Sequence, residues 1–163
     1  MRTVLAVLFL AAGCTKPPPF KPVASVKQLM QATIDPAADV LFEAVGTIIT
    51  ASGVEEIAPK NDEEWTTVRN NALTLAESGN LLLIGDRARD QGDWSKMSRA
   101  LVEVAVVALK AAEAKNPEAL FEAAGEVYGV CQQCHSRYWK QSGAMHLLPS
   151  YPVRHAAFGV HDR

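Results

Sequence analysis

Apolar and polar positions along most of this chain recur with helical spacing. After Trp65, the apolar or small residues Val68, Ala72, Leu75, Gly79 and Leu82 follow at steps of three and four, the seam of a helix that buries one stripe. The pattern predicts a helix over 62–88. Met97, Leu101, Val104, Ala108 and Ala111 mark a second stripe and predict a helix from a cap at Asp93 to Lys115. Leu120, Phe121, Ala124, Val127, Tyr128 and Cys131 mark a third, running to Trp139. It opens on Asn116-Pro117-Glu118: a capping side chain, a proline where no amide is needed, and an acid at the positive end of the helix dipole. Upstream, Val40, Leu41, Ala44, Val45 and Ile48 predict a helix from Ser25 to Ala51, ended by Ser52-Gly53. A break is expected at Asp35-Pro36, where Asp35 can cap and Pro36 can take the first helical position. No stretch after Ser25 reads as a strand. Four long helices with short connections predict an all-α fold, an antiparallel four-helix bundle.

The ends of the chain read differently. Arg2, the apolar run Val4 to Leu10, and the small residues Ala11, Ala12 and Gly13 precede Cys14. At about 1.5 Å per residue that run falls well short of a hydrocarbon core about 30 Å thick, so it reads as an export signal. A cysteine directly after small residues resembles a bacterial lipobox, in which the cysteine is lipidated and becomes the first mature residue. Ala11 departs from that pattern, where a larger aliphatic residue is usual. An ordinary cleaved signal with an incidental Cys14 is the other reading. Residues 15–24, TKPPPFKPVA, hold four prolines and suit an extended spacer. The chain thus divides into a leader at 1–13, a Pro-rich spacer at 14–24, a bundle at 25–140 and a tail at 141–163.

A length of 163 residues with 48% hydrophobic and 21% charged side chains suits one folded domain. The net charge of -2 gives no basic field for a nucleic acid. No nucleophile turn or Gly-rich phosphate loop occurs, so an enzyme is not expected. Three cysteines cannot build a disulfide framework.

Two of those cysteines lie in Cys131-Gln132-Gln133-Cys134-His135, the Cys-x-x-Cys-His pattern that attaches a c-type haem. On a helix, residues three apart share a side, so both thiols can reach the two vinyl groups of one porphyrin. His135 follows as the proximal iron ligand. Three other readings stand beside this one. A thioredoxin-type pair would open a helix in a βαβ setting. A zinc site would recruit His146, His155 or His161 from the tail. A plain disulfide would leave His135 unexplained. Export favours haem, because bacterial c-type haem is attached outside the cytoplasm.

Four helices with this motif near the end of the last one resemble the cytochrome c′ family and its Met-ligated relatives. The resemblance covers residues 25–140 and includes Tyr138, the aromatic residue three after the histidine. It implies one covalent haem c on Cys131, Cys134 and His135, with Tyr138 packing or hydrogen bonding near it. It implies that a residue of the first helix covers the opposite face. Met30 is the candidate distal ligand; filling a core gap is its alternative role. Leu29 is the candidate lid if no side chain ligates. Met97, Met145 and His146 are further candidates. The functional expectation is an exported monohaem cytochrome acting in electron transfer, periplasmic and tethered through Cys14 in a Gram-negative bacterium. Its expected partners are redox proteins, and the family's helix-face homodimer is a further expectation. A five-coordinate haem protein binding nitric oxide or carbon monoxide is the first alternative. A non-haem helical lipoprotein is the second.

Overall fold

The computed structural model describes residues 20–139. Cys14, the leader, most of the spacer, the tail, Met145, His146, His155 and His161 lie outside the described residues. Among the described residues, four helices pack against each other and one short hairpin joins the first two. None of these helices is long and apolar enough to cross a membrane.

The first helix starts where the sequence places it. Ser25 and Gln28 form a reciprocal capping box: the Gln28 amide donates to Ser25 Oγ at 3.3 Å and the Ser25 amide donates to Gln28 Oε1 at 3.0 Å. The helix runs as Val26–Leu29, a π turn over Met30–Ile34, and Asp35–Ala44. The expected break at Asp35-Pro36 is therefore corrected to a local widening. In an α-helix the ring of Pro36 would meet the carbonyl four residues back and leave it without a donor. In the π turn the Asp35 amide instead donates to the Met30 carbonyl, five residues back. Asp35 does not cap; the residue before this α-helical segment is Ile34, which makes no side-chain cap.

The expected continuation to Ala51 is also corrected. The helix stops at Ala44, and Gly46–Thr50 pairs antiparallel with Gly53–Ile57. Thr47, Ile48, Ile49 and Thr50 are four β-branched residues in a row, which pack poorly in a helix and well on a pleated surface. Gly53 turns the chain at φ +142°, a conformation that disfavours any side chain. Ile48, assigned above to a helical stripe, lies in the first strand.

The second helix, Asp62–Leu81, is capped by Asn61, whose Oδ1 accepts the Glu64 amide at 2.9 Å. It ends seven residues before the expected Ala88, giving way to a 3-10 turn at Gly85–Arg87. Trp65, Val68, Ala72, Leu75, Gly79 and Leu82 are all buried, as the seam requires. The third helix spans Asp93–Glu113 and the fourth Pro117–Tyr138. Between them Lys115 takes φ +50°; the Asn116 amide donates to the Ala111 carbonyl and the Lys115 amide to that of Ala112, closing a Schellman turn.

Contacts fix the helix directions. Asp62 meets Lys115 at 2.8 Å, while the Trp94 indole donates to the Leu82 carbonyl at 2.9 Å, so the second and third helices run oppositely. The third and fourth do likewise, joined by the turn at one end and by Arg137 on Asp93 at 2.8 Å at the other. Phe42 meets Tyr128 edge to face with ring centroids 6.1 Å apart. Asp35, nearer the start of the first helix, has His135 as its electrostatic neighbour. The first helix therefore runs against the fourth. Leu41, Leu75, Leu120 and Val127, from the first, second and fourth helices, are fully buried in the core, and Ala105 and Ala108 are the third helix's share of it.

Two glycines test the packing in opposite directions. A Cβ on Gly79 would lie 2.6 Å from Val102 Cγ2 and 2.8 Å from the Ser98 carbonyl oxygen. Overpacking costs about 1–3 kcal/mol, against a helix-propensity gain of about 1 kcal/mol. A Cβ on Gly125 would meet nothing within 4 Å. Gly79→Ala is expected to lower the urea midpoint and Gly125→Ala to raise it, the latter by about 0.4–1 kcal/mol. Equal effects would contradict the close crossing of the second and third helices.

Candidate functional site

Cys131, Cys134 and His135 occupy the last two turns of the fourth helix. The three-residue spacing sets the two sulfurs on one side of it. Both thiols are free and half-buried, and Cys131 packs against the core. Burial, followed by the Asp35 carboxylate and Cys134, pushes the Cys131 thiol up to about 11. Burial raises Cys134 as well. Both are therefore thiols at neutral pH. A thioredoxin-type pair needs a depressed thiol to supply its nucleophile, and this environment works against one.

His135 is half-buried, and its ring meets Trp139 edge to face at 5.1 Å. Burial lowers its pKa and Asp35 opposes that shift. A lowered pKa favours the neutral imidazole, the form that donates a lone pair to a metal.

Asp35 is the residue the sequence reading misplaced. It is half-buried, and burial raises its pKa first, with His135 lowering it and Asp39 raising it. Its charge acts on both His135 and Cys131. Asp35, the residue that follows the π turn, thus lies beside the cysteine motif. Met30 opens that turn and accepts the Asp35 amide through its carbonyl; its side chain is half-buried against the core. The signal available in the sequence was an acid directly before a proline inside a continuing helix, where it is not needed as a cap. Leu29, the candidate lid, is buried in the core at 5% exposure. Met97 lies half-buried on the third helix.

Tyr138 ties the end of the fourth helix to the start of the third. Its hydroxyl donates to Asp90 Oδ2 at 2.5 Å, and its ring stands edge-on to Trp94 with centroids 5.0 Å apart. The other carboxylate oxygen of Asp90 accepts the amides of Gly92 at 2.9 Å and Trp94 at 3.0 Å. Asp90 therefore serves the start of the third helix, where Asp93 was expected to cap; Asp93 is the first helical residue and pairs with Arg137. The sequence reading passed over Asp90, although Asp-x-Gly before a helix is a turn signal.

Among the described residues, no three of His, Cys, Asp and Glu gather to hold a metal ion. The histidines that a zinc site would add lie outside the described residues. An open cleft of about 430 Å³ lies away from the cysteines, between Val40, Ala44, Ile57, Lys60 and Glu64. No protein-family model, no curated protein and no solved structure matches the chain.

The Tyr138–Asp90 bond has a pH signature. The Tyr138 hydroxyl and then the Trp94 amide hold the Asp90 carboxyl below its ordinary 3.8. A carboxyl depressed in the fold adds stability that is full above the unfolded-state value and lost as pH falls through the folded one. Tyr138→Phe and Asp90→Asn are each expected to lower the urea midpoint at neutral pH, and the double variant to fall little further than the larger single one. The gap between wild type and Tyr138→Phe is expected to shrink in strong acid. Additive losses, or a gap independent of pH, would contradict the coupling.

Proposed function

We propose that the protein is an exported c-type cytochrome that holds one haem covalently through Cys131 and Cys134, with His135 on the iron, and that it acts in electron transfer. The observation that carries this reading is the donor set: two protonated, half-buried thiols one helical turn apart, next to a half-buried imidazole that burial favours in its neutral form. That set suits thioether formation and axial ligation together. When bound, the haem supplies one-electron cycling of its iron.

The chain's own residues hold and shield it. Cys131 and Cys134 fix its edge to the fourth helix. His135 presents a ring nitrogen from the same turn. Met30 is the residue of the first helix proposed for the opposite axial position, where a thioether would raise the potential and exclude gases. The pinned end of the fourth helix keeps these groups still between oxidation states. No substrate is turned over in this reading, and the partners are redox proteins. Cys14 is proposed to carry lipid and hold the domain on the periplasmic side of a bacterial membrane.

A second reading has Met30 remaining in the core, where its half-buried side chain already packs. The iron would then be open to nitric oxide or carbon monoxide. Carbon monoxide separates the two. Protein matured with a c-type haem system is expected to show the sharp α band of a reduced six-coordinate haem, unchanged by carbon monoxide. Met30→Ala is expected to convert it to a gas-binding spectrum. An immediate carbon monoxide shift in the wild type would overturn Met30 ligation in favour of the second reading. Absence of any haem band would overturn both.

A further inference from the structure

His135 has a counterpart on the first helix, and the register of the two helices identifies it. The first helix starts at the connection between the second and third, where Arg87 Nε donates to the Ala24 carbonyl at 2.9 Å. The fourth helix ends at the same connection, where Tyr138 donates to Asp90. The two therefore run oppositely. Phe42 and Tyr128 meet between them edge to face, with centroids 6.1 Å apart. Asp35 lies seven residues before Phe42 within the α-helical segment Asp35–Ala44, and His135 seven residues after Tyr128 within Pro117–Tyr138. Seven residues are close to two full turns, so each step returns to nearly the same face after about 10.5 Å. Both steps lead toward the same end of the bundle, which sets Asp35 opposite His135. The electrostatics agree with the register: Asp35 is the charged group that acts on His135, and His135 acts on Asp35 in turn.

The Asp35 carboxylate is available for a role there. Its amide bonds to the Met30 carbonyl across the π turn, and its side chain caps no helix. Among the described residues no donor reaches that carboxylate, and the His135 ring makes no hydrogen bond. Each is therefore open to the other. An imidazole bound to a metal through one nitrogen carries N–H on the other, and a carboxylate acceptor there fixes the ring and raises its basicity. A more basic axial imidazole with a negative charge beside it favours ferric iron over ferrous. We propose that Asp35 is a positioning residue for the iron: its carboxylate accepts the ring N–H of the bound His135 and holds the reduction potential down. This rests on the cytochrome reading. With Met30 as the opposite ligand, the first helix supplies both a thioether that raises the potential and a carboxylate that lowers it.

The test is the midpoint potential of the haem-loaded chain at neutral pH, with circular dichroism confirming that each variant folds. Asp35→Asn is expected to shift the potential upward. Asp35→Glu, which keeps the charge, is expected to stay close to the wild-type value. Asp39→Asn removes an equal charge one turn further along the first helix and is expected to raise the potential by less. A vibrational readout follows the hydrogen bond itself. In Met30→Ala, His135 is the one protein ligand of the reduced iron whether or not Met30 binds it in the wild type. Adding Asp35→Asn to that variant is expected to lower the iron–imidazole stretching frequency, because the ring nitrogen loses its anionic acceptor. Equal potentials in wild type and Asp35→Asn would overturn the role of Asp35 alone. So would an equal shift from Asp39→Asn with the stretching frequency unmoved by Asp35→Asn. A chain that loads no haem would overturn the cytochrome reading, and this role with it.

Discussion

The last turn of any helix has carbonyls with no partner inside the helix, and it frays unless something outside holds it. Here the last two turns of the fourth helix contain the residues with the most distinctive chemistry, and the hydrogen bond from Tyr138 to Asp90 holds the end of that stretch. Asp90 is suited to the task because its two oxygens act in different directions. One receives the Tyr138 hydroxyl, and the other receives the first amides of the third helix. Trp94, fixed by its own bond to the Leu82 carbonyl, supplies the surface on which the Tyr138 ring rests. One carboxylate thus joins the start of the third helix to the end of the fourth, and Trp94 carries the link on to the Leu82 carbonyl just past the second. If that last turn frayed, His135 would lose its fixed place beside Cys131 and Cys134.

The first helix meets this motif through a second constraint. Pro36 cannot sit in an undisturbed α-helix, and the chain answers with a π turn instead of a break. The wider turn leads directly into Asp35, whose charge acts on His135 and Cys131 near the end of the fourth helix. A true break would have let the segment 26–34 take its own direction. The continuous helix keeps Leu29 and Ile34 buried in the core and sets Asp35 beside His135. A half-buried carboxylate is costly unless a neighbour offsets it.

Local rules made much of this legible. The seam from Trp65 to Leu82, the helix start at Ser25 and the Asn116-Pro117 start each rest on near neighbours in sequence, and the structure has them where the pattern put them. The place of the cysteine motif near the end of the last helix was readable because the stripe from Leu120 to Cys131 runs unbroken into it. The hairpin was not. Ile48 continues the apolar steps of Val40, Leu41, Ala44 and Val45, so periodicity pointed to more helix, while the β-branched run Thr47–Thr50 decided the matter locally. Asp35 and Asp90 were missed for a different reason. Each looked like an ordinary capping or loop residue, and each acquires its role from a partner about 50 residues or more away in sequence, His135 for Asp35 and Tyr138 for Asp90. Such pairings follow from the packing of helices, which no window along the chain contains.

Covalent attachment is the claim on which the functional reading stands, and the mass of the denatured protein reads it directly. Protein matured in a host that assembles c-type cytochromes is unfolded in acid and extracted with organic solvent to strip any loosely held porphyrin. The expected result is a chain heavier by one haem, with the added mass lost when Cys131 and Cys134 are both replaced by Ser. A chain at its bare mass, from cells that load other c-type cytochromes normally, would contradict it.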